Sequence, residues 1–201
     1  MSELNRVARL SPGRRLVLAA TLLAIVGAGQ GAFAQSGPYD YRVLATNRTS
    51  TMEKELNEAA DAGFRFVTVM GGETAVGGNE AVAVLTKTGK GGAYAYKLLA
   101  TSRTSTMQKE MQEASDAGYE YRGQTVFKST FGGEEVVCIL EKDKAGAVKK
   151  YDYKLLATSK TSTLEKELRE AGDAGYELLG MTVSKTAIGG KELVAITRKA
   201  K

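Results

Sequence analysis

Apolar positions alternate, then switch to a spacing of three to four, and this order recurs three times along the chain. In the last copy Tyr151, Tyr153, Leu155 and Ala157 share one face of an extended segment, with Asp152, Lys154, Leu156 and Thr158 on the other. So aromatic and aliphatic a run reads as a strand. The period then lengthens. Leu164, Leu168 and Ala171 recur at i, i+4 and i+7, the stripe of an amphipathic helix. Met52, Leu56 and Ala59 repeat that stripe, as do Met107, Met111 and Ala114. Ser162-x-x-Glu165, Ser50-x-x-Glu53 and Ser105-x-x-Gln108 have capping-box spacing, so serine is expected to cap each helix. Gly63, Gly118 and Gly175 stop the helices, and Phe64, Tyr119 and Tyr176 follow to fold back on the last turn. A second strand runs from Tyr176 to Lys185, and Gly189-Gly190 turns the chain into a third, Glu192 to Arg198. Gly77-Gly78 and Gly132-Gly133 are the matching turns.

A fixed period of about 50 residues means one supersecondary unit used in tandem. The unit is β-α-β-β and the class is α+β. Repeats are expected over 38–88, 93–143 and 150–200. Connection rules leave two strand orders, 1-2-3 and 1-3-2, and the split 1-3-2 order is preferred, a mainly antiparallel three-stranded sheet with one helix on one face. Domains of about 50 residues bury only about 60% of their extended surface, so neighbouring copies are expected to pack on bare sheet faces or edges. The connectors, 88–92 and 144–149, permit either beads or a compact pack. Copy one departs at Met70-Gly71-Gly72-Glu73, where its second strand is expected to be shorter or broken.

Residues 1–34 read differently. Arg6, Arg9, Arg14 and Arg15, an apolar stretch from Leu16 to Val26, and Ala32-Phe33-Ala34 form the pattern of a cleaved secretory signal peptide. The mature chain is then expected in a bacterial periplasm or outside the cell, with no stable membrane span. Without the leader, 28 less 4 basic residues face 23 less 1 acidic ones, a net charge of +2. Interspersed charges of that balance give no footprint for nucleic acid. Cys138 is the single cysteine, in a run where the other copies place Ala83 and Ala195, and reads as a buried, inert thiol. With no histidine in the chain, histidine-based zinc sites and Ser-His-Asp chemistry lack their usual ligand or base. No catalytic residue, metal ligand or cofactor site is expected.

The best candidate for chemistry is the approach to each helix. Arg48, Thr49, Ser50 and Thr51 recur as Arg103, Thr104, Ser105 and Thr106, and as Lys160, Thr161, Ser162 and Thr163. A cation, hydroxyls and free N–H groups at a helix N-terminus suit an anion, although a serine cap beside a solvated cation, with Glu or Gln at N3 completing the box, is the plainer reading. Asp61, Asp116 and Asp173 sit in the last helical turn, where an acid opposes the macrodipole and calls for a compensating cation such as Lys154. The pairs Tyr39/Tyr41, Tyr94/Tyr96 and Tyr151/Tyr153 either cover a sheet face or stack on a sugar or peptide.

Tyr-x-Tyr-Lys-Leu-Leu, a short helix with Glu-Leu, then Ala-Gly-Tyr-Glu-Leu-Leu and a late apolar strand ending in Arg-Lys resemble a small bacterial domain, the domain-of-unknown-function family numbered 4177. The resemblance is clearest at Tyr176-Glu177-Leu178-Leu179 and spans all three copies, though the chain has no Trp. It supports the fold and carries no activity. The expected function is a non-catalytic exported repeat protein that binds a protein or cell-envelope component. The alternatives are a small-ligand binder for an anion or saccharide and, last, a hydrolase using paired carboxylates such as Glu177 with a neighbouring Asp.

Overall fold

A computed structural model describes residues 38–74, 78–128, 134–185 and 190–201. The expected leader and most residues of the three Gly-Gly turns lie outside these. The first repeat comprises β1 (Tyr41–Thr46), α1 (Thr49–Asp61), β2 (Phe64–Thr74) and β3 (Gly78–Lys87). The second comprises β4 (Tyr94–Thr101), α2 (Thr104–Asp116), β5 (Glu120–Lys128) and β6 (Glu134–Asp143). The third comprises β7 (Tyr151–Thr158), α3 (Thr161–Asp173), β8 (Glu177–Lys185) and β9 (Lys191–Ala200). Each repeat is a three-stranded sheet in the 1-3-2 order, its third strand central and antiparallel to both neighbours.

The helices begin otherwise than the capping-box spacing predicts. Their N-cap residues are Arg48, Arg103 and Lys160, in extended conformation and with no side-chain cap. Serine therefore falls inside the first turn. The Oγ1 atoms of Thr46, Thr101 and Thr158 instead accept the N–H of Arg48, Arg103 and Lys160 at 3.1, 3.1 and 3.3 Å, a local turn that sets the entry angle. This frees Glu53 and Gln108 for work described below. The C-terminal ends follow expectation. Gly118, at φ 87°, donates to the Ser115 carbonyl, and Tyr119 to the Ala114 carbonyl. Asp116 does find a cation, but it is Lys201 at 2.8 Å rather than Lys154. Two strand lysines meet last-turn carbonyls: Lys142 donates to Ala117 and Lys199 to Ala174, both at 2.9 Å.

Residues 38–201 form one compact unit, so the repeats are stacked and not strung as beads. The stacking rule is simple. α1 lies between its own sheet, at Ala81, Ala83 and Leu85, and the opposite face of the second sheet, at Tyr96, Val137 and Ile139. α2 likewise lies between Leu99, Cys138 and Leu140 of its own sheet and Tyr153, Leu155 and Ile196 of the third. Among the described residues α3 packs on its own sheet alone, at Leu156 and Ala195. Met52, Leu56, Met107 and Met111 are thus closed on both sides, whereas Leu168 is half-buried.

β2 is not shorter than its counterparts; it is 11 residues long. The glycines explain this. Gly71 N–H donates to Thr125 Oγ1 at 2.6 Å, and a Cβ there would collide with the Val126 carbonyl oxygen. Glycine lets β2 lie directly against β5 of the next repeat. Cys138 is fully buried and burial pushes its thiol well above the ordinary range, as expected of an inert residue.

Candidate functional site

Each helix faces the neighbouring repeat with polar side chains that hold a strand backbone. β4 is an edge strand, and its outward N–H groups need partners. Glu53 Oε2 accepts Leu98 N–H at 2.8 Å, and Asn57 accepts Tyr96 N–H at 2.9 Å while donating to the Tyr96 carbonyl at 3.0 Å. One repeat on, Gln108 accepts Leu155 N–H at 3.0 Å. Gln112 accepts Tyr153 N–H at 3.1 Å and donates to the Tyr151 carbonyl at 3.0 Å. The side chains thus act as a substitute strand.

Phenols return the contact. Tyr96 OH accepts Phe66 N–H at 2.8 Å, and Tyr153 OH accepts Tyr121 N–H at 2.9 Å. Those amides lie where β2 and β5 shift register against β3 and β6. Tyr96 OH also donates to Glu141 at 2.8 Å, and Arg65 grips the same carboxylate with Nε and Nη2 at 3.1 and 2.8 Å. Glu141 has a side-chain exposure of only 4%. Its hydrogen bonds with Arg65 hold that guanidinium above its usual pKa, and burial pushes the Tyr96 phenol up as well. At the second junction the signs are reversed: Glu120 meets Arg198 at 3.6 Å.

Among the described residues the two ends of the stack lack this second half. No described helix precedes β1, so Tyr39, Tyr41 and Val43 are 67%, 57% and 62% exposed, whereas the corresponding Tyr94 and Tyr96 are buried. Tyr39 and Tyr41 stack on one another with centroids 5.9 Å apart. Met70 is exposed on the same face. At the other end no described element packs on the far side of α3, and Glu165 and Arg169 pair with each other at 2.6 Å. Leu178, Met181 and Val183 of β8 are exposed beside it.

Arg48, Thr49, Ser50 and Thr51 lie at the start of α1, and the sets beginning with Arg103 and Lys160 at the starts of α2 and α3. The cavity under α1, lined by Thr46, Thr49, Met52, Leu98 and Ile139, is about 10 Å3, and its counterpart under α2 is the same size. Neither exceeds the space of about one water. At α2 a carboxylate is already present, because Thr104 Oγ1 donates to Glu192 of the third repeat at 3.1 Å. A larger groove of about 340 Å3, between Gln108, Gln112, Asp116 and Tyr153, is wide open along α2.

No family model, curated protein or solved structure matches the chain. Among the described residues no group of three or more acidic, cysteine or histidine side chains is placed to hold a metal, and no helix is long and apolar enough to cross a membrane. Sequence reasoning missed Asn57, Gln112, Arg65 and Glu141. The signal was the polar side chain four residues after Glu53 and Gln108, aligned with Arg169 in the last copy.

Proposed function

We propose that this chain is a non-catalytic exported interaction protein whose first sheet, at Tyr41, Val43 and Met70, is the face that meets a protein or cell-envelope component. One observation carries the reading. Four large apolar side chains, Tyr39, Tyr41, Val43 and Met70, stand in water beside an edge strand, although the same sheet face is covered by a helix in the other two repeats. Contiguous exposed apolar surface with a strand edge is the physical mark of a partner site. The helix N-termini support a small-ligand reading more weakly, since the cavities there have no room for phosphate. Export and the periplasmic or extracellular address rest on the leader pattern alone.

The test is a pull-down from envelope extract with the wild-type chain and with Val43→Glu. A component retained by the wild type and lost with the variant supports the reading. Identical retention by both contradicts it.

A further inference from the structure

We infer that the partner for this face is a second copy of the chain, joined head to tail, with α3 and β8 of one copy laid on the first sheet of the next. This deepens the reading above and rests on it.

The chain already makes this interface twice. In each internal junction a helix covers the far face of the following sheet, and the second strand of the leading repeat lies against the second strand of the following one. What remains at the ends is the two unmatched halves of that junction. Among the described residues the exposed large apolar side chains, apart from Val67 and Val148, all lie on these two ends. Tyr39, Tyr41, Val43 and Met70 are on the first sheet, and Leu178, Met181 and Val183 are on β8.

The halves correspond position by position. Tyr41 stands where Tyr96 and Tyr153 stand, and those phenols accept the N–H groups of Phe66 and Tyr121. The matching amide in the third repeat belongs to Leu178, which sits at the same register shift, between Leu178 and Gly180. Glu165 occupies the place of Glu53 and Gln108, whose carboxylate or amide oxygens accept Leu98 and Leu155 N–H; its counterpart in a second copy is Val43 N–H. Arg169 replaces Asn57 and Gln112 and keeps only the donating half of their function, toward the carbonyl of Tyr39 or Tyr41. Gly172 stands where Ala60 and Ser115 do and has nothing within 4 Å of its missing side chain, so the approach is open.

One part is absent. The ion pairs Arg65–Glu141 and Glu120–Arg198 would become Glu177 opposite the uncharged Thr86, while Glu177 already pairs with Arg198 at 2.6 Å. The contact between copies is therefore weaker than the internal junctions and reversible with concentration. It is also heterologous, so it closes into a ring or continues as an open series.

The experiment measures the mass of the chain, expressed from its full-length gene, by sedimentation across a wide concentration range. Wild type is expected to rise from one chain to multiples. Val43→Glu blocks the head and Leu178→Glu blocks the tail; both residues are exposed, so folding, checked by circular dichroism, is retained. Each variant alone is expected to stay at the mass of one chain. An equal mixture is expected to reach twice that mass and stop, because one intact head meets one intact tail. Wild type that remains single at every concentration overturns the inference, as does a singly blocked variant that associates like wild type. If wild type is single yet Val43→Glu loses an envelope component in pull-down, the joining fails and the partner-face reading stands; if nothing is lost either, both fail.

Discussion

Asn57 holds the backbone of Tyr96 at both polar atoms, accepting its N–H at 2.9 Å and donating to its carbonyl at 3.0 Å across a repeat boundary. A helix side chain there does what a neighbouring strand would do. Truncation to alanine leaves two half-buried backbone groups without their partner. Asn57→Ala should therefore destabilise the chain by about 2 kcal/mol in urea denaturation. Arg169→Ala, at the matching place in α3, where the side chain makes an exposed pair with Glu165 and meets no strand backbone of a described repeat, should change stability by less than about 0.5 kcal/mol in the single chain.

Arg65 and Glu141 test the first junction electrostatically. Removing the cation strands a carboxylate whose side chain is 4% exposed, with Arg122 at 3.5 Å as the remaining charge partner. Arg65→Ala is expected to cost about 3 kcal/mol. Glu141→Gln removes the buried charge itself, keeps a hydrogen-bonding side chain for Tyr96, and should cost less.

Gly71 and Gly72 are adjacent and should respond differently to a side chain. A Cβ at Gly71 meets the Val126 carbonyl, whereas one at Gly72 meets nothing within 4 Å. Gly71→Ala is expected to lose about 1–3 kcal/mol by forcing β2 off β5. Gly72→Ala should lose nothing, and thermal melts of the two variants give the comparison.

Alkaline pH should act through buried phenols. Burial raises the Tyr96, Tyr121 and Tyr153 hydroxyls above the usual value of 10.0. A raised folded-state value means the neutral phenols contribute stability fully below pH 10, and that contribution falls as pH climbs from there toward the folded-state values. Phenolate absorbance from these three should therefore appear together with loss of the fold, measured by parallel ultraviolet and circular dichroism titrations.

Local structure was legible because it depends on short spacings. The Met52-Leu56-Ala59 stripe and Gly63 predict a helix and its stop, and the structure has them. Connection rules narrowed the strand order to two, and the preferred 1-3-2 is the one the sheets have. What escaped were contacts between repeats. Glu53 and Gln108 look like members of a local capping box, yet they serve strands about 45 residues away, at Leu98 and Leu155. Gly71-Gly72 looks like a strand breaker when read alone, and becomes a close-approach site only once β5 is beside it. Spacing reports neighbours along the chain, and these residues answer to neighbours in space.

Native-state hydrogen exchange of individual amides tests the stack most directly. In dilute protein the Tyr96, Leu98, Tyr153 and Leu155 amides, each held by a helix side chain from the preceding repeat, should be protected nearly as well as the core. Tyr41 and Val43, on the edge strand that no described helix precedes, should exchange orders of magnitude faster. Leu98 and Leu155 exchanging as fast as Val43 would contradict the account.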